Sequence, residues 1–464
     1  MSPIEEYLQS NARRFQELLF EWLRIPSVSA IPECKGDVHR AGQWLQDYFT
    51  SLGLTSELIR TEGHPLVYAE TPPVSGAPVV LVYGHYDVQP ADPLERWDTP
   101  PFEPTERDGN IYARGASDDK GQLLTHVFAA EACMQGGKRL PFQIKFIIEG
   151  EEEVGSASLS KYLKENRKKL AANCVLVSDG CMFGPAQPAI TYGLRGIVAM
   201  EMTLRGPSRD LHSGVFGGAV MNPAVALTRM LAAAIDENGK IRIPDFYKDV
   251  LPITESEHTQ FSMLPFNEEQ FFEKIGVAKS VGEKGFTSLE RRWSRPSFDI
   301  NGLTSGYQGE GSKTVIPSVA SAKFTFRLVP NQNPAEIAAN AKTFFESIKP
   351  EGVSIEIKYE HGAAGMVVDI DESKFIPPAA AALEQTFGRP PVFTREGGSI
   401  PIVAELSQVL KAETLLIGWG QDDDNAHSPN EKFSIGAFRD GILASARFWA
   451  EVGRSAAVNE RLRT

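Results

Sequence analysis

At 464 residues the chain is too long for one small core, and a prior of about 150 residues per domain predicts two or three domains. Its 42% hydrophobic and 23% charged content is ordinary globular usage and argues against disordered or fibrous structure. Asp and Glu outnumber Lys and Arg by 60 to 47, so the formal charge of −13 repels polyanions and no nucleic acid partner is expected.

The first segment, Pro3 to Leu23, places Ile4, Leu8, Phe15, Leu18, Leu19 and Trp22 at helical spacings, and Ile25-Pro26-Ser27 ends it. Glu5, Glu6, Arg13 and Arg14 interrupt its apolar residues, so it does not read as a secretory signal. No run approaches the roughly 20 apolar residues of a membrane span, and a cytoplasmic protein without a membrane partner is expected. Cys34, Cys133, Cys174 and Cys181 show neither CxxC spacing nor the density of a disulfide framework, so they read as reduced, mostly buried thiols.

Four short apolar runs have the pattern of strands buried on both faces: Val79 to Tyr83, Ile144 to Ile148, Cys174 to Val177 and Leu415 to Gly418. Helical stretches at Gly121 to Met134 and Leu159 to Lys169 separate the first three, and this alternation predicts an α/β domain with a mainly parallel sheet. From Gly196 the pattern changes. Ile197 to Leu204 alternates like a strand, Asn222 to Ile235 reads as a helix, and strand-like runs at Ala322 to Leu328 and Val353 to Tyr359 flank a helix from Pro334 to Ile348. Pro244 to Gln308 shows little clean periodicity. A helix near Ser373 to Phe387 then resumes the α/β style. An α+β domain over 196–368 is therefore expected as an insertion into a domain built from 1–195 and 369–464.

The ends of the predicted strands carry the candidate chemistry, and ligands of α/β sheets bind there. Leu81-Val82-Tyr83-Gly84-His85-Tyr86-Asp87 runs a buried strand into a His-x-Asp pair, in which His85 can ligate a metal and Asp87 can orient its ring. Alone, that pair is equally well read as a structural histidine. Gly115 to Gly121 adds Asp118 and Asp119 at a helix start, and Glu149-Gly150-Glu151-Glu152-Glu153 follows another buried strand. Such clusters are caps or solvated surface in the bland reading. Gathered at one sheet edge, however, they repel one another unless cations neutralise them, and two ions do so better than one. Asp179 and His427 follow the remaining strands, so each predicted α/β strand ends in a possible ligand.

The strings GHYDVQP, GASDDKGQ, EGEEEVGS, ITYGLRG, DLHSGVFGG, EGSKTVIP, FRLVP, TREGGSIP and HSPNEKF occur in order from residue 84 to 433. They resemble the metal-dependent exopeptidase family of cytosolic non-specific dipeptidase, carnosine dipeptidase, aminoacylase and succinyl-diaminopimelate desuccinylase, and most of all its dipeptidase branch. The resemblance implies a di-metal catalytic domain with an inserted lid that also dimerises. It makes Asp118 the bridge between two divalent ions, Zn²⁺ or Mn²⁺, with His85 and Asp179 on one ion and Glu153 and His427 on the other. It further implies that Asp87 holds the His85 ring, that the Asp118–Asp119 peptide is cis, and that Glu152 is the general base, with neighbouring Glu151 as the competitor for that role. His212 would reach the partner subunit's site of a homodimer to bind the oxyanion. Arg327 would clamp the substrate carboxylate, with Thr314, Gly398, Ser399 and His427 as further substrate contacts, Gly398 and Ser399 through backbone groups. Asn222 is an additional candidate. GEGSKT lacks the full GxxxxGK[ST] of a P-loop, so phosphate binding is not expected. The expected function is hydrolysis of unblocked dipeptides. The alternatives are an N-acyl-amino-acid amidohydrolase with the same metal chemistry and a non-catalytic binding protein of the same fold.

Overall fold

Val79–His85, Gln143–Glu149, Cys174–Val177 and Glu413–Leu416 are strands buried almost throughout, as the apolar runs predict for the centre of a covered sheet. The computed structural model describes residues 2–135 and 140–461, with the side chains beyond Arg454 left aside. These residues form two units, one running through Tyr192 and including Val368–Thr394 and the chain from Glu405, the other comprising Gly193–Val367 and Arg395–Ala404. The last segment departs from the expected boundary, which assigned all of 369–464 to the first domain. Hydrogen bonds explain it: Arg195 Nε donates to Gly397 O at 3.1 Å, and Ser399 Oγ donates to Arg195 O at 2.6 Å.

In the first unit the four buried strands pair in parallel, Gln143–Glu149 beside Val79–His85, then Cys174–Val177, then Glu413–Leu416. An antiparallel hairpin, Thr55–Ile59 with Leu66–Glu70, extends one edge and is not evident from periodicity, because both strands are only five residues long. The parallel order points the C-terminal ends of the buried strands the same way. Tyr86, directly after His85, is fully buried and donates to Pro65 O at 2.5 Å. Its ring lies so close to Gly150 that a Cβ there would meet it at 2.8 Å, so only glycine lets the acidic loop pass beside His85.

The helix Lys120–Gln135 is buried on nearly every side. Its polar residues must therefore find partners inside the protein. Glu131 accepts hydrogen bonds from Tyr7, Tyr48 and Arg14, tying the helices Pro3–Leu23 and Lys35–Ser51 to it. His126 is 2.7 Å from Ser178 Oγ, whose own proton goes to Ile417 O at 2.5 Å. His126 Nε2 must then be the donor, and its buried Nδ1 has no partner. Of the cysteines, none is in a disulfide; Cys133 and Cys174 are buried, whereas Cys181 is exposed, contrary to its apolar neighbours in sequence.

The second unit is α+β. Its sheet is antiparallel in the order Ser297–Ser305, Val319–Leu328, Gly196–Arg205, Ser354–Ala363. Alternate residues Val198, Met200, Met202 and Leu204 face a core shared with Leu227, Met230 and Leu231 of the helix Pro223–Ala233 and with Ile337 and Phe345 of Pro334–Ser347. The segment without clean periodicity contains the short helices Glu255–Met263, Glu268–Lys274 and Ser288–Trp293, together with the mostly exposed edge strand Ser297–Ser305. Two of those helices open on capping boxes, Thr254 with Glu257 and Thr287 with Glu290, which are readable from sequence spacing alone. No helix among the described residues is long and apolar enough to cross a membrane.

Burial holds the His126 pKa down to about 3 from its ordinary 6.5. Between those values the unfolded chain takes up a proton that the folded protein refuses, so stability falls as pH drops below about 6.5. His126→Phe is therefore expected to be about 2 kcal/mol less acid-sensitive between pH 7 and pH 5 than wild type. Denaturant titrations at both pH values measure this difference.

Candidate metal centre and substrate groups

Six polar side chains of the first unit come from different chain segments to one place. His85 ends a buried strand, Asp118 lies two residues before the helix Lys120–Gln135, and Glu152 and Glu153 begin the turn Glu152–Val154. Asp179 follows Cys174–Val177, and His427 stands in the loop before Lys432–Ser434. His427 adopts a left-handed backbone with φ 61°, an unfavourable conformation for a non-glycine residue and one found at functional sites.

Asp118 is the centre of the cluster. Its Oδ1 lies 3.1 Å from His85 Nε2, and its Oδ2 lies 2.8 Å from His427 Nε2. Asp179 Oδ2 is 3.9 Å from His85 Nε2, and Glu153 Oε2 is 3.4 Å from His427 Nε2. His85, Asp118 and Asp179 thus form one group with ligand atoms within 4.8 Å of each other, and Asp118, Glu153 and His427 form another. Imidazole with carboxylate is a donor set that suits divalent cations. Two buried atoms support the fit: His85 Nε2 makes no hydrogen bond in spite of its contact with Asp118, and Glu153 Oε1 has no partner. The Asp118–Asp119 peptide is cis.

Charge in the cluster is strongly coupled. Burial opposes ionisation of Asp118, but His427 and His85 hold its carboxyl below the ordinary carboxylate range. Asp118 and Glu153 in turn raise His427 to about 10. Burial, aided by neighbouring carboxylates, pushes Glu152 up to about 8 and Asp179 up to about 6. The protein without cations thus draws protons to balance its negative side chains, which is work a divalent ion does directly.

The acidic residues are sorted by what they accept. Glu151 is turned away from the cluster and takes His64 N at 2.7 Å and Ser158 N at 2.9 Å, one on each oxygen. The Glu152 carboxylate makes no hydrogen bond among the described residues, which separates the two neighbours that the acidic string leaves ambiguous. Asp87 meets the His85 ring as expected, with its Oδ1 3.4 Å and its main-chain oxygen 3.1 Å from His85 Nδ1. Its carboxylate also accepts Glu152 N at 3.2 Å and Glu153 N at 3.1 Å. Gln89, not singled out by the sequence, donates to Glu153 Oε2 at 2.7 Å. Its place two residues beyond Asp87 was the available signal.

The remaining candidates lie in the second unit. His212 and Thr314 are neighbours there: Leu211–His212 pairs with Val315–Ile316, and Ser213 N donates to Thr314 O at 3.1 Å. The exposed His212 ring accepts Gly214 N on Nδ1 at 3.0 Å, leaving Nε2–H as a donor. Arg327 Nη1 donates to Ser399 Oγ at 3.1 Å, and no carboxylate pairs with Arg327 among the described residues. Gly398 N is 3.2 Å from Glu396 Oε1, so its amide is already engaged by the chain rather than presented as an unengaged substrate donor. Asn222 caps the helix Pro223–Ala233 by accepting Ala224 N, which accounts for it structurally.

A mostly parallel sheet bearing a histidine–carboxylate cluster at its strand ends defines a metallohydrolase type of site. Residues 81–451 match peptidase family M20/M25/M40, and the chain belongs to that family and is a peptide hydrolase. It is 32% identical over 459 residues to the Cys-Gly metallodipeptidase of Schizosaccharomyces pombe, covering 95% of this chain and 96% of that protein. The human Beta-Ala-His dipeptidase is 29% identical over 98% of this chain and 93% of its own length. Among solved structures, the M20 family metallo-carboxypeptidase Sso-CP2 of Sulfolobus solfataricus superposes with TM-score 0.84 and 30% identity, over 95% of this chain and 99% of the other.

Asp118→Asn is expected to lose bound divalent metal in elemental analysis of protein equilibrated with zinc. Glu151→Gln should retain that metal and lose about 1–3 kcal/mol of unfolding free energy, because an amide cannot accept both backbone N–H groups.

Proposed function

We infer that the protein is a metal-dependent dipeptidase that hydrolyses the amide bond of unblocked dipeptides. One observation carries the reading: Asp118 turns one oxygen to each of two imidazole–carboxylate groups, as a pair of cations requires. His85, Asp118 and Asp179 would hold one ion, and Asp118, Glu153 and His427 the other, with Zn²⁺ and Mn²⁺ both compatible with those donors. When bound, the cations would supply Lewis acidity that polarises the scissile carbonyl and makes the attacking water easier to deprotonate.

The chain's own residues supply the remaining roles. Glu152 takes the proton from water as the new C–O bond forms, then gives it to the amine nitrogen as the C–N bond breaks. Its unengaged carboxylate supports this role over Glu151. Asp87 steadies the Glu152–Glu153 backbone. His212 donates from Nε2 to the carbonyl oxygen as negative charge grows there, and the commitment of its Nδ1 to Gly214 supports that tautomer. Arg327 grips the substrate's free carboxylate through its planar fork, with Ser399 beside it. Thr314, Gly398 and His427 complete the substrate contacts, Gly398 on condition that the Glu396 side chain yields.

The second unit, Gly193–Val367 with Arg395–Ala404, serves as lid and dimerisation domain, and His212 acts in the partner subunit's site. Exposed Val215, Phe216, Val220 and Val225, close in sequence to His212, support a surface that a second copy covers. Four cysteines without a disulfide support a reducing, cytoplasmic setting. A second reading, a carboxypeptidase acting on longer peptides, is favoured by the similarity to the Sulfolobus solfataricus enzyme. It shares the carboxylate clamp and differs in the space left for the substrate's N-terminal side.

A turnover panel decides among them. Protein loaded with zinc or manganese should cleave dipeptides such as Cys-Gly and β-Ala-His roughly tenfold or more faster than tripeptides or N-acyl amino acids. Equal rates on longer peptides would establish the carboxypeptidase reading, and activity confined to acylated amino acids would overturn both.

Glu152→Ala should keep its cations and lose about 10²-fold or more in kcat. Mixing Glu152→Ala subunits with His212→Ala subunits should restore roughly a quarter of wild-type turnover, because half of randomly exchanged dimers carry one intact site. Exchanged hybrids that stay inactive would place His212 outside the partner's reaction.

A further inference from the structure

The two chain segments that carry Asp118 and His427 are loops; pairing of Lys432–Ser434 with Asn110–Tyr112 joins one end of each, but leaves the paths of the loops beyond it unset. Residues 113–119 form one, ahead of the helix Lys120–Gln135; residues 421–431 form the other, with left-handed backbone at Asn425, His427 and Asn430. We propose that Glu431, which the reaction does not itself use, is the positioning residue that holds these two ligand loops in register. The proposal deepens the two-cation reading above and rests on it.

Glu431 is fully buried, and both of its oxygens are filled by the opposite loop. Oε1 accepts Ser117 N at 2.9 Å and Asp118 N at 3.1 Å; Oε2 accepts Gly115 N at 3.0 Å and Arg114 Nη1 at 2.7 Å. Three of the four donors are main-chain groups of the loop that bears the shared ligand, and one belongs to Asp118 itself. A carboxylate held in this way dictates the path of that loop as firmly as strand pairing would. Its own main chain is fixed too, because Ala113 N donates to Glu431 O at 3.1 Å.

Arg114, also fully buried, carries the constraint to the other ligands. Its Nη2 donates to Ser428 O at 3.3 Å, next to His427, and to Pro90 O at 3.2 Å, next to Gln89, the residue that holds Glu153. A second tie runs parallel to the first: Ser117 Oγ donates to Asp424 Oδ2 at 3.0 Å. One buried ion pair therefore reaches the loops of Asp118, of His427 and of the residue that steadies Glu153. Buried ion pairs gain little net stability, because desolvation offsets their attraction, so placement is the stronger explanation for this one.

Glu431→Gln and Glu431→Asp test the assignment. The amide turns a donor toward backbone N–H groups, whereas the shorter acid keeps the charge but loses reach. Zinc affinity is measured by competition with a chelator, alongside the thermal midpoint of metal-free protein and kcat and KM at saturating zinc. Positioning predicts zinc binding about 10–100-fold weaker and a lower kcat, with KM within about twofold of wild type, since the carboxylate clamp is elsewhere. A merely structural role would lower the thermal midpoint and leave zinc affinity and kcat unchanged, and that result in either variant would overturn the proposal. If Glu431→Gln fails to fold, Glu431→Asp decides by the same criteria. Failure of wild-type protein to bind zinc or manganese would instead remove the two-cation reading, which keeps the two failures distinct.

Discussion

Crowding of negative charge at one end of a buried sheet is the constraint on which the rest of the protein depends. Asp118, Glu152, Glu153 and Asp179 approach two histidines in surroundings that burial makes hostile to uncompensated charge. Protons compensate when nothing else does, and the raised pKa values of Glu152 and His427 are the sign of it. Divalent cations relieve the same repulsion without protonating the carboxylates. Metal dependence and peptide hydrolysis are in this sense consequences of one electrostatic arrangement.

Around that cluster the chain spends main-chain N–H groups to decide what each carboxylate can do. Glu151 is tied to His64 and Ser158, Asp87 to Glu152 and Glu153, and Glu431 to the loop before Asp118. Each of these acids is thereby engaged by the chain's own backbone. Glu152 keeps an unengaged carboxylate, and Asp118 offers its oxygens to imidazoles alone. Three successive glutamates thus differ in direction: Glu151 is tied to backbone N–H groups, Glu152 is unengaged, and Glu153 joins a candidate ligand group.

The proposed recognition groups belong to the second unit. Arg327 has Ser399 as a partner and no counter-ion among the described residues, which is compatible with the proposed carboxylate clamp. The His212 ring is held by Gly214 through one nitrogen, which leaves the other as a donor. In both cases one hydrogen bond holds a group that keeps further donor capacity.

Much of this was legible without coordinates. The parallel strands were visible because continuous apolar runs are required wherever a sheet is covered on both faces, and Val79–His85 and Cys174–Val177 obey that rule. The ligand candidates were visible because His and Asp at the ends of such strands are chemically conspicuous. The edge hairpin and the exposed strand Ser297–Ser305 were not, since short or solvated strands lack a strong alternation. Nor were the roles of Gln89 and Glu431. Sequence by itself determined which segments are buried and where candidate metal-ligating side chains emerge, because hydrophobic period and side-chain chemistry are local properties. Only the tertiary structure decided which carboxylate oxygen meets which donor, because Glu431 and Ser117 are 314 residues apart and Glu151 and His64 are 87 apart, distances across which no local pattern specifies a hydrogen bond.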